Sequence, residues 1–173
     1  MMSEMGANTI SFAGRAASSS QFKALYAEGM ALVEETASYL DGPGRLASKA
    51  LPRMASVLYA AESMRLTTRL MQLASWLLLQ RAANEGEMTR DQFLAEKRKI
   101  SLDTLPVSNV GAEWEELPAA FVALVNRSLS LQTRITAIDA ELYHYKAPET
   151  PVDNPVDQQI NLLSTALGAR RKA

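Results

Sequence analysis

The side chains best suited to chemistry lie in one stretch. Glu62, Arg65, Arg69, Gln72, Trp76 and Gln80 recur three or four residues apart, so on a helix they form one polar row with an indole set into it. Arg65 and Arg69, one turn apart, have the spacing of a clamp for a small dianion. An all-helical lyase or mutase is one reading of that clamp, but no general acid or base converges on it. Arginine and tryptophan also anchor protein interfaces, which makes Glu62, Arg65, Arg69, Gln72 and Trp76 a candidate partner-binding surface. The plainer alternative is a local Glu62–Arg65 bond, with Trp76 covering the edge of a core.

Other constellations are thinner. Glu141 and His144 match half of the Glu-x-x-His pattern of helical di-metal proteins. His144 is the single histidine, and Leu142 between the two faces a packing seam, so no metal site is expected. Glu34–Glu35 and Glu115–Glu116 diverge by about 100° on a helix and make poor acid–base pairs. Gly42 and Gly44 follow no strand and read as a chain reversal rather than a phosphate loop. No nucleophile has a base beside it. The expectation is no catalytic residue, no metal and no cofactor.

The elements that carry these residues are helical. After a leader over 1–17, Ser18, Ser19 and Ser20 offer caps for a first helix. There Phe22, Leu25, Gly29, Leu32, Thr36 and Tyr39 alternate at spacings of three and four. Asp41-Gly42-Pro43-Gly44 breaks it. The longest helix runs from Leu51 or Pro52 to Glu85, with Gly86 as its stop; a short piece from Leu46 is the alternative start, which would make Pro52 a kink. Thr89-Arg90-Asp91-Gln92 has the form of a capping box and opens a short helix to Lys99. Pro106, Asn109 and Gly111 mark a loop over 101–116, and Pro118 opens a third long helix. Its seam of Phe121, Leu124, Ser128, Leu131, Ile135, Ile138, Leu142 and Tyr145 is the most regular period in the chain. The pattern predicts an all-α protein, an antiparallel three-helix bundle over 18–145 with a tail over 146–173. Within the tail Asn154 and Pro155 can open a short amphipathic helix bearing Val156, Ile160, Leu163 and Leu167.

The long second helix has two apolar stripes. One is Met54, Val57, Ala61, Met64, Thr68, Met71, Ser75, Leu78 and Ala82; the other is Leu66, Leu70, Leu73 and Leu77. Met71 and Leu73 point about 160° apart, so one stripe is expected inside the bundle and the other under a partner, the plainer alternative being that the first and third helices wrap the second nearly all round. The reading here assigns Leu66, Leu70, Leu73 and Leu77 to a homodimer interface.

Composition agrees with a soluble interaction protein. The 173 residues are 47% hydrophobic, enough for a real core, and 18 Lys and Arg balance 19 Asp and Glu. That balance gives no field for nucleic acid. The absence of cysteine excludes disulfides and suits a reducing cytoplasm. The longest apolar run, Leu70 to Leu79, falls short of the ~20 residues of a membrane helix.

One stretch also resembles a known family. Glu62 to Arg81, reading ESMRLTTRLMQLASWLLLQR, continues through Asn84-Glu85-Gly86-Glu87-Met88-Thr89 and is similar to the signature of the RcdA family, the regulators of CtrA degradation. Leu32-Val33-Glu34-Glu35-Thr36 and Tyr39-Leu40-Asp41-Gly42-Pro43-Gly44-Arg45 add to the resemblance. It implies a dimeric three-helix bundle that serves as an adaptor for the AAA+ protease ClpXP. The implied partners are a priming protein of the CpdR type, a further adaptor of the PopA type and cargo of the CtrA type. A purely structural dimerisation module is the remaining non-catalytic reading.

Overall fold

The computed structural model describes residues 20–103 and 111–143. Every regular element among them is a helix: α1 Ser20–Asp41, α2 Pro43–Lys49, α3 Arg53–Asn84, α4 Arg90–Lys97, α5 Ala112–Glu115 and α6 Ala119–Tyr143. The expected all-α class is what is seen. The chain divides between Leu142 and Tyr143 into two units, and the description below concerns the first. The tail motif of Val156, Ile160, Leu163 and Leu167 lies outside the described residues, as do the leader, His144 and Tyr145.

Local chemistry explains the breaks. The Gly42 N–H donates to the Ser38 and Tyr39 carbonyls at 3.1 and 3.2 Å, ending α1, and Pro43 opens α2. A Cβ on Gly44 would stand 2.5 Å from the Tyr39 ring and 2.6 Å from the Tyr59 hydroxyl. Only glycine lets α2 sit this close to both tyrosines. The short helix before Pro52, one of two readings of the sequence, therefore exists and starts at Pro43. Pro52 itself, with ψ at 156°, is the extended residue just before α3 rather than a kink within it.

At the other end of α3, Gly86 takes φ 73°. Its N–H donates to Ala83 at 3.2 Å, and that of Glu87 to Ala82 at 2.9 Å; this pair of bonds is a Schellman stop. Both bonds of the Thr89 capping box form, at 3.2 and 2.9 Å. The expected loop over 101–116 contains a further short helix, α5, which its four residues were too few to announce by period.

Phe22, Leu25 and Leu32 of α1, Tyr59, Leu66, Leu70, Leu73 and Leu77 of α3, and Phe121, Leu124, Val125, Leu131 and Ile135 of α6 share one core. Every apolar residue of the α6 seam from Phe121 to Ile135 is buried, together with Ser128. A Cβ on Gly29 would collide with the Leu77 side chain, so α1 and α3 meet closely at that level. Burial pushes the Tyr59 phenol above its ordinary pKa, and the neighbouring Tyr39 adds to the shift.

Cross-helix contacts fix the directions. Arg127 meets Glu35 at 2.7 Å and Arg134 meets Glu28 at 2.5 Å. As α6 advances its α1 partners recede, so these helices are antiparallel. Between α3 and α6 the pairs Tyr59–Phe121, Arg69–Ser128 and Trp76–Asp139 advance together. Those two helices are parallel. The antiparallel three-helix bundle expected from the sequence would alternate in direction along the chain. Its first reversal, α1 against α3, is seen at Gly44–Tyr59 and Gly29–Leu77, whereas α6 runs parallel to α3 and antiparallel to α1. The residues between Gly86 and Pro118 carry the chain back to the level where α3 began, as the parallel direction requires.

Candidate functional site

The polar row of α3 is turned inward. Glu62, Arg69, Trp76 and Gln80 are buried, Trp76 at 1% exposure and Glu62 at 0%. Each needs a partner there, because a polar group without one loses its hydration for nothing. The Trp76 Nε1–H donates to Asp139 Oδ1 at 2.8 Å, and Lys97 of α4 reaches the same oxygen at 3.0 Å. Arg69 donates to Ser128 Oγ at 2.9 Å, and that hydroxyl donates onward to the Val125 carbonyl at 2.7 Å. Arg65, half-buried at the rim, is paired with Glu62. Gln132 of α6 donates to the Leu102 and Asp103 carbonyls at 3.0 and 3.3 Å, which ties the returning chain to the seam.

These bonds change the reading of the row. One reading placed Glu62, Arg69 and Trp76 on an accessible face; the structure buries all three, with Arg69 and Trp76 joining α3 to α6 and Glu62 bonded locally to Arg65, as the plainer alternative had it. Arg65 and Gln72, at the edge of the row, keep partial exposure. The two arginines are engaged by Glu62 and Ser128, so the pair that the alternative reading made an anion clamp is spent within the chain, Arg65 on its own helix and Arg69 across to α6. Burial lowers the pKa of the Arg69 guanidinium, with Glu62 opposing the shift and Arg65 adding to it. Arg69 Nε and Nη2 and Glu62 Oε2 have no hydrogen-bond partner. Among the described residues no three acidic, histidine or cysteine side chains cluster as metal ligands.

The two apolar stripes also exchange roles. Leu66, Leu70, Leu73 and Leu77, expected beneath a partner, are 0 to 4% exposed within this chain and belong to its core. The stripe expected inside is the one in the open, with Met54, Val57, Met64, Met71 and Leu78 between 52 and 73% exposed. The leucines face inward because they can pack beside Gly29 and the α1 core residues, a match that the period of α3 alone does not contain. The residues the sequence reading missed are Gln132, Asp139 and Lys97, and Ser128, placed in the seam, was not read as a polar partner. Ser128, Gln132 and Asp139 stand four and seven residues apart on α6, a polar line that was there to be found.

A second feature is an open groove of about 550 Å³ between the start of α1 and the end of α6. Phe22, Leu25, Ile138 and Leu142 line it, and Glu28 and Arg134 form an ion pair at its edge. No helix among the described residues is long and apolar enough to cross a membrane.

Fold and site together define an all-α protein whose longest helix joins the bundle through a polar row and leaves an apolar row exposed. The family model described as "Protein of unknown function (DUF1465)" matches residues 13–167. The crystal structure of RcdA from Caulobacter crescentus CB15 is similar at 45% identity with a TM-score of 0.61, over 74% of this chain and 95% of that one. The chain belongs to this family, that of RcdA. No curated protein matches it.

Proposed function

We propose that this chain is a non-catalytic adaptor, which brings cell-cycle regulators of the CtrA type to a ClpXP protease primed by a CpdR-type partner, with a PopA-type adaptor as a further contact. The carrying observation is the 45% identity to RcdA across 95% of that protein. The physical picture supports it. The residues that looked most chemical are engaged in joining helices, and the surface left bare is apolar rather than reactive. An adaptor needs no more than that, because tethering a substrate at its protease raises the effective concentration, commonly to the millimolar range for short flexible links. Such a protein works in the cytoplasm, without nucleic acid and without inserting in a membrane.

The test is reconstituted degradation of a CtrA-type cargo by ClpXP and the priming partner, with and without this chain. Cargo turnover should accelerate severalfold when the chain is added, and the chain alone should cleave nothing. Equal rates in both reactions, across several candidate cargoes, would overturn the adaptor reading.

A further inference from the structure

Charge balances over the whole chain but is unevenly spread. From Gly42 to Ala61 the sequence carries Arg45, Lys49 and Arg53 and no acid. All three are exposed. Other surface cations meet carboxylates, as Arg127 does Glu35, Arg134 does Glu28, Arg81 does Glu85 and Lys99 does Glu96. Arg45, Lys49 and Arg53 take part in none of the ion pairs among the described residues. Asp41, one turn before Arg45, leaves them unpaired, and so do the glutamates of α5, the short helix packed on α3.

Local structure gathers the three on one surface. Gly44 is buried against Tyr39 and Tyr59, and Ala47, Ser48 and Leu51 follow it inward at spacings of three and four. That leaves Arg45, Leu46, Lys49 and Ala50 on the outer side of α2. At the start of α3, Ala55 and Tyr59 turn inward while Arg53 and Met54 are exposed. One turn of helix and the joint at Ala50-Leu51-Pro52 keep the group within roughly 20 Å. Leu46 and Met54, 69 and 62% exposed, stand among the cations. The platform is formed before any partner arrives, because the close seat at Gly44 holds α2 against both tyrosines.

Unpaired cations interleaved with open apolar side chains are the complement of a segment in which acids alternate with apolar residues. We infer that this surface receives such an acidic segment of a protein partner, with carboxylates on Arg45, Lys49 and Arg53 and apolar side chains on Leu46 and Met54. Arginine forks accept carboxylates through paired hydrogen bonds, and methionine adapts its shape to what it meets. Three cations are fewer than the clusters of about 4–8 that mark lipid-binding segments. They are also few beside the roughly 6–10 phosphate contacts of a strong DNA binder. The inference rests on the adaptor reading for its purpose, the holding of cargo or a companion protein, but not for its measurement.

The full chain serves as bait for a random peptide library displayed on phage. Enriched peptides should combine Asp and Glu with interspersed apolar residues. Their Kd, read by fluorescence anisotropy, should rise about tenfold or more in a chain carrying Arg45→Glu, Lys49→Glu and Arg53→Glu, and should rise with salt. Leu46→Asp alone should weaken binding severalfold. Both variants should keep the wild-type melting curve, since every substituted side chain is exposed. In reconstituted degradation the triple variant should lose the acceleration of at least one cargo that the wild-type chain accelerates. A wild-type chain that accelerates no cargo would remove the adaptor reading, and the peptide measurement would still judge the surface. No enrichment, enriched peptides without acids, or binding indifferent to the substitutions would overturn the inference. So would a preference of the same residues for phosphatidylglycerol vesicles or duplex DNA over the selected peptides.

Discussion

Trp76 shows how a residue can satisfy two readings of its chemistry until its neighbours are known. Its indole fills core space at 1% exposure while its one N–H is spent on Asp139. Because Lys97 reaches the same carboxylate, Trp76→Phe leaves the acid paired and should cost about 1–3 kcal/mol for lost volume and one hydrogen bond. Asp139→Ala strands the buried indole donor and takes the carboxylate from the Lys97 ammonium, and should cost more, about 3 kcal/mol or above. Urea titration of the two variants checks the order; a Trp76→Phe variant worse than Asp139→Ala would mean the indole acts by packing alone. Arg69 is the opposite case, a buried guanidinium with a single hydrogen bond to Ser128 and two nitrogens without partners. Replacing a buried ionic group by an apolar side chain of similar volume is often neutral or stabilising.

At the scale of elements α3 is inside-out in part, with polar residues toward α6 and methionines toward water. The arrangement stands because the inward polar row finds Ser128 and Asp139, while the leucine stripe finds the close approach permitted by Gly29. Gly29→Ala adds a methyl where Leu77 already sits. Overpacking should outweigh the helix-propensity gain of about 1 kcal/mol and leave a net loss of about 1–2 kcal/mol. Thermal melting measures it, and a stabilised variant would show that α1 and α3 can move apart at little cost. The apolar residues of α1 and the α6 seam were legible beforehand because each of those helices has one buried face. The stripes of α3 were legible as stripes, yet their assignment was not, since both are apolar enough to be buried.

The whole molecule adds the order in which helices meet. The parallel direction of α3 and α6 depends on the returning chain between Gly86 and Pro118, held by Lys97–Asp139 and by Gln132 on Leu102 and Asp103. At this scale belongs the expectation for residues 147–173, whose pattern of Val156, Ile160, Leu163 and Leu167 on one face suits an anchor in a partner's groove. Their deletion should leave helical melting unchanged and impair delivery of at least one cargo to the protease. A truncated chain that delivers every cargo at the full rate would remove any role for the segment, and early melting would assign it to the fold.

What the sequence determined by itself was local. Helix positions, the break at Gly42-Pro43-Gly44, the Thr89 capping box, the stop at Gly86 and the seam of α6 follow from caps, turn residues and period, whose physical causes lie within a few residues of one another. The family resemblance in residues 62–89 was likewise carried by the chain alone. The tertiary structure decided which stripe of α3 faces inward, what the polar row is for, and that α6 runs parallel to α3. The reason is distance along the chain: Arg69 and Ser128 are 59 residues apart and Trp76 and Asp139 are 63. Periodicity fixes the angle of a side chain around its own helix, whereas only packing determines which neighbour waits at that angle.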